Sequence, residues 1–204
     1  MNEFGSLVNV PEFRSLNVLQ RALLASDGTL TELLGAVFLE TMDMVKCGQE
    51  VRKGRAVHSA LECMPDDTVL ERQIALRGRR SSRIYVYAES QIAVDRFGPD
   101  FRAALWQTEE PIGRLARAFH LESRRELLEF RGPHADIPRQ FMATPGEFVT
   151  RTYRICGGGR PVAIITEHFP VTLSLPDREG VAAVADPAGN EAGSTRQVLK
   201  LNVT

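Results

Sequence analysis

The residues of this chain that could do chemistry are charges standing where apolar side chains belong. In the stretch PVAIITEHFPVTL (residues 161–173), β-branched residues bounded by turn formers predict a buried strand. Side chains alternate across a strand, so Ala163, Ile165, Glu167 and Phe169 share one face. Glu167 is therefore a carboxylate on the side that looks into the core. The stretch TVLERQIALR (residues 68–77) repeats the pattern with Leu70, Arg72, Ile74 and Leu76. FVTRTYRIC (residues 148–156) repeats it again with Val149, Arg151, Tyr153 and Ile155. Buried charge without a partner is costly, so each of the three implies either a counter-ion or a function.

Two guanidiniums and one carboxylate do not neutralise one another. A guanidinium fork suits a carboxylate. The missing negative charge reads as a small ligand with one or two carboxylates, enclosed between sheet and helices, with Glu167 able to give or take a proton. The residues alone leave a second reading open, in which Arg72, Arg151 and Glu167 form a structural ion-pair network and hold nothing else.

The elements that must carry these charges follow from spacing. Residues 41–52 predict a first strand with Gly48 as a bulge. Residues 68–77, the turn GRRSS and the run RIYVYAESQIAVD predict a hairpin. In its second strand Ile84, Val86, Ala88, Ser90, Ile92 and Val94 share a face, and Tyr85 and Tyr87 take the other. Gly157-Gly158-Gly159 turns the chain from the Arg151 strand into the Glu167 strand, which places those two charges in neighbouring strands. Residues 122–131 fit a helix or a strand, and residues 132–146, with three prolines, predict a loop or flap.

Helices are expected ahead of and between the strands. After an irregular arm (residues 1–15), Ser15 or Asn17 caps a helix whose stripe is Leu16, Leu19, Leu23 and Leu24. Thr29, with Glu32 three positions on, predicts a capping box for the next helix. Pro99 starts another, with Phe101, Leu105 and Trp106 inward. Glu109-Glu110-Pro111 introduces IGRLARAF, with proline in the first helical position. Ile112 and Gly113 then lie in a first turn whose N–H groups lack intrahelical acceptors, a place that can hold an anion. A plain amphipathic helix is the simpler reading of the same residues.

With 204 residues, the chain is long enough for one sizeable core. Its 25 basic and 26 acidic residues leave no electrostatic footprint for nucleic acid. No apolar run approaches the ~20 residues that cross a bilayer, and the N-terminus lacks a signal-peptide pattern. Three cysteines without a CxxC pair and four scattered histidines predict neither a disulfide framework nor a metal site. The expectation is a cytoplasmic, metal-free domain over residues 1–176, followed by a mobile tail over residues 177–204. Oligomeric state is not legible.

Taken in order, TVLERQIALRG, YAESQI, EEPIGRLARAF and TRTYRICGGGRPVAIITEHFP resemble the chorismate pyruvate-lyase (4-hydroxybenzoate synthase) family, in its archaeal and mycobacterial-type branch. The resemblance spans roughly residues 16 to 172. It implies an α+β fold, a single antiparallel sheet of about six strands with helices covering one face. The implied activity converts chorismate to 4-hydroxybenzoate and pyruvate without metal or organic cofactor. By the same resemblance, Arg72 binds substrate, Glu167 is the acid/base that protonates the departing enolpyruvate, and a backbone amide at Ile112, with Gly113 beside it, holds a carboxylate. Arg151 matches a basic position in the penultimate strand. The alternatives are a related enzyme acting on a modified acid, or a module that binds an aromatic acid without turning it over.

Overall fold

Strands whose side chains alternate apolar and polar need something to cover the apolar face. The computed structural model describes residues 7–107, 110–137 and 146–175. Strands β1 (Met42–Lys53), β2 (Thr68–Gly78), β3 (Ile84–Ala93), β4 (Ser123–His134), β5 (Phe148–Gly157) and β6 (Arg160–Pro170) form one sheet in the order β1-β2-β3-β6-β5-β4. Every neighbouring pair is antiparallel. Helices α1 (Pro11–Arg14), α2 (Val18–Ala25), α3 (Leu30–Phe38), α4 (Pro99–Gln107) and α5 (Ile112–Ala118), with short 3-10 turns between strands, accompany the sheet and give the expected α+β architecture.

Register decides what the helices cover. Leu76 pairs with Val86, and Val149 with Phe169; on this row Leu19, Leu23 and Leu24 of α2 and Leu34 of α3 pack. Leu70 pairs with Ile92, Ile92 with Ala163 and Ala163 with Ile155; here Phe101 and Leu105 of α4 and Leu115 of α5 pack. Both apolar clusters lie on the same face. Between their rows run two more. One sets Arg72 opposite Ser90, Ser90 opposite Ile165 and Ile165 opposite Tyr153. The other sets Ile74 opposite Ala88, Ala88 opposite Glu167 and Glu167 opposite Arg151. The charges thus sit at the centre of the covered face.

Local chemistry accounts for most element boundaries. Asn17, the second of the two candidate caps, accepts from the Gln20 amide at 2.9 Å while its own amide donates to the Gln20 side chain at 3.1 Å. The box expected at Thr29 and Glu32 does not form, because both side chains turn to Arg117 of α5. Pro111 is the N-cap of α5 rather than its first residue. Trp106, expected inward, is 39% exposed. Residues 11–14 of the expected irregular arm form α1, and β3 gives way to a 3-10 turn at Val94–Arg96.

Gly48 borders a bulge, since the pairing of β1 with β2 shifts between Lys46 and Gly48. A second shift, where Leu76 pairs with Val86 and Arg77 with Ile84, changes the faces at the start of β3. Tyr85 consequently joins the helix-side core against Phe38, with ring centroids 4.3 Å apart, and Ile84 packs on the other face with Tyr87 and Phe148. The ambiguous residues 122–131 are strand, and β4 runs on to His134, so the expected loop starts later. Its residues 138–145 and the tail from residue 177 lie outside the described residues. Gly158 (φ 59°) and Gly159 (φ 81°) turn β5 into β6 through the left-handed region, as a two-residue hairpin demands. Among the described residues, no helix is long and apolar enough to cross a membrane.

Candidate functional site

Where the two apolar clusters part, sheet and helices form a partly open cavity of about 70 Å³, counted as space open to the centre of a water molecule. One water needs roughly 10–15 Å³ by that measure. The cavity therefore has room for several waters or a small organic molecule. Arg72, Ser90, Ile165 and Glu167 form its sheet side; Ile112 and Gly113 of α5 and the turn at Gly28 and Thr29 form its roof.

Arg72 is 3% exposed. Its terminal nitrogens donate to the Glu110 carbonyl at 3.4 and 3.5 Å, and Nη2 lies 3.7 Å from Met44 Sδ. Its Nε is buried with no acceptor. Among the described residues, no carboxylate stands within ion-pair distance of it. Burial accordingly pushes the guanidinium pKa down.

Glu167 is in the opposite situation. Its Oε2 accepts from Arg151 Nε at 2.7 Å, and its Oε1 accepts from the Tyr153 hydroxyl at 2.9 Å. Arg151 Nη1 donates to the carbonyls of Leu24 (2.8 Å) and Ser26 (2.7 Å), tying the end of α2 to the sheet. Its guanidinium carbon lies 5.2 Å from the Tyr153 ring centroid and 5.8 Å from that of Phe169. Burial, and then the Glu167 charge, push the Tyr153 hydroxyl pKa well up. Arg151 is not among the residues that line the cavity, whereas Arg72, Ile112, Gly113 and Glu167 are.

The chain has relatives with a named activity. Residues 24–175 match the family described as chorismate pyruvate-lyase Rv2949c-like. A Mycobacterium tuberculosis protein named chorismate pyruvate-lyase is 33% identical over 166 residues, covering 78% of this chain and 82% of its own. One of the same name from Mycobacterium leprae is 32% identical over 163 residues, covering 78% and 77%. The chain belongs to the chorismate pyruvate-lyase Rv2949c-like family. Among solved structures, the effector domain of PhnF from Mycobacterium smegmatis superposes with a TM-score of 0.54 at 10% identity, covering 70% of this chain and 88% of that one. That likeness shows the fold alone.

In this family member two cavity residues escaped the reading of the sequence. Tyr153 lies on the inward face of β5 but carries no charge to single it out. Arg125 lies on β4, in the segment whose pattern fitted helix and strand alike; as a strand, it shares its inward face with Leu127. Among the described residues, no group of His, Cys, Asp and Glu is arranged to hold a metal, and the cysteines are free.

Proposed function

We propose that this chain eliminates pyruvate from chorismate to give 4-hydroxybenzoate, using its own side chains and backbone and no cofactor. The observation that carries the reading is the buried Arg72, without a carboxylate partner among the described residues, on the cavity that Glu167 also lines. A chain of this family that keeps such a charge in its core has a carboxylate ligand to match it.

The reaction needs little machinery. As the ring C4–H bond breaks, its electrons form the C3–C4 double bond and the C3–O bond breaks, leaving an aromatic ring and enolpyruvate. Aromaticity makes this strongly downhill, so the protein must hold a dianion in the reactive geometry and manage one proton. Arg72 and the Ile112 amide, with Gly113 beside it, anchor one carboxylate. Glu167 is the acid/base, taking the C4 proton and returning a proton to the departing enolpyruvate at its methylene carbon. Arg151 contributes to the site by holding Glu167, to which it is bonded at 2.7 Å.

Incubated with chorismate, the protein should release pyruvate and 4-hydroxybenzoate in equal amounts. Glu167→Gln should still bind 4-hydroxybenzoate and lose turnover by about 10²-fold or more. A protein whose melting temperature rises with 4-hydroxybenzoate but which releases no pyruvate is a binding module, and that result overturns the lyase reading.

A further inference from the structure

Among the described residues that line the cavity, Arg72 and Arg125 outnumber Glu167. Glu167 is matched by Arg151 at 2.7 Å. Arg72 and Arg125 also line the cavity, and among the described residues neither has a carboxylate within ion-pair distance. Two cations therefore remain for the ligand. They come from opposite sides: β2 and β4 are separated in the sheet by β3, β6 and β5, roughly 19 Å at the usual strand spacing.

Arg125 is built into the cavity wall. Its Nη1 donates to the carbonyls of Asp27 and Gly28, the latter at 2.5 Å. Its guanidinium carbon lies 5.6 Å from the Tyr153 ring centroid, so the fork rests on the residue that bonds Glu167. Its Nη2 faces α5, where a Cβ placed on Gly113 would lie 3.7 Å from it. Among the described residues, Nη2 and Nε have no acceptor. This partly buried fork thus adjoins the helix turn that Ile112 and Gly113 share.

We propose that Arg125 receives the second carboxylate of a dianionic ligand whose first carboxylate is held by Arg72. The proposal rests on the lyase reading and extends it. Chorismate carries one carboxylate on the ring and one on the enolpyruvyl arm, and the paired guanidiniums hold both. Once the bond between them breaks, each product retains a single carboxylate and a single anchor. Arg125 is then the residue by which the site prefers the intact two-headed substrate over its one-headed product. The plainer role, a latch for the turn at Asp27 and Gly28, predicts no such preference.

The test compares two unreactive ligands, 4-(carboxymethoxy)benzoate with two carboxylates and 4-hydroxybenzoate with one, titrated calorimetrically into the full chain. Unmodified protein should bind the dicarboxylate more tightly, and a preference for the monocarboxylate would by itself overturn the proposal, whatever the variants do. Arg125→Gln should weaken the dicarboxylate by about 10- to 100-fold and the monocarboxylate by less than about 3-fold. Arg125→Lys, which keeps the charge, should recover most of the difference. Equal loss of both ligands makes Arg125 a latch only, and no loss of either removes it from the site; both results contradict the proposal. Failure to release pyruvate from chorismate defeats the lyase reading alone, because the dicarboxylate preference is read without turnover.

Discussion

Arg151 and Arg72 leave the same face of the sheet and meet opposite circumstances. Arg151 has the buried Glu167 carboxylate at 2.7 Å and the backbone carbonyls of Leu24 and Ser26 as acceptors. Arg72 has a carbonyl and a thioether. Removing one partner of a buried pair strands the other, at a cost of about 3–5 kcal/mol. Arg151→Met should therefore destabilise the chain by about that amount in urea denaturation, and an effect below about 1 kcal/mol would contradict the ion pair as described. Tyr153→Phe takes away the second donor to Glu167 and should cost about 1–3 kcal/mol in the same measurement. What distinguishes the three inward charges is thus their partnering. Alternation placed all of them on the covered face, but it could not say which arginine Glu167 would satisfy; that depended on the Arg151–Glu167 register across the β5–β6 hairpin.

At the level of elements, the turns beside the site are held by side chains from distant strands and helices. The α2–α3 turn is bonded to Arg151, Arg125 and Arg117. The β2–β3 hairpin is held by Glu40, which follows α3: Oε2 accepts from the amides of Arg80 and Ser81 at 3.0 Å, and Oε1 from the hydroxyls of Ser81 (2.7 Å) and Tyr85 (2.6 Å). The Tyr85 hydroxyl, first among these donors, helps bring the Glu40 carboxyl from its ordinary 4.5 to about 2. A depressed folded-state value means stability that is fully present above about 4.5 and lost as the pH falls to about 2. Glu40→Gln should melt below the unmodified chain at pH 7, and the gap should close between those two values; a gap that persists unchanged to pH 2 would refute the assignment. None of this was legible in the sequence. Glu40 and Ser81 are far apart in the chain, and Tyr85 changes face through a shift in register. The strands other than β4, the Asn17 helix and the glycine hairpin were legible because their signals are local. Thr29 and Glu32 show the converse, since a local capping pattern lost its side chains to Arg117.

Over the whole molecule, two apolar clusters anchor the helices at either end of one sheet face, and the rows between them set Arg72, Ser90, Ala88, Glu167 and Arg151 among Ile74, Ile165 and Tyr153. Helix-covered sheet and open centre are the same fact seen twice: Ser90 and Ala88 are too small to fill the space above them, and Arg72 is too polar to welcome an apolar neighbour. The layout followed from alternation once the strands were paired. Arg125 did not, because the pattern of its strand was ambiguous until β5 fixed the register. Such a centre is a compromise between stability and function, for an unmatched buried charge weakens the empty fold that it equips to bind. The most direct measurement is thermal melting of the unmodified chain and Arg72→Met, each with and without 4-hydroxybenzoate. Arg72→Met should melt higher than the unmodified chain when empty, by roughly 1–2 kcal/mol in stability, and should lose the rise that the ligand produces. A variant that melts lower when empty and still responds to 4-hydroxybenzoate would contradict the central claim, that Arg72, without a carboxylate partner among the described residues, is kept in the core to receive one.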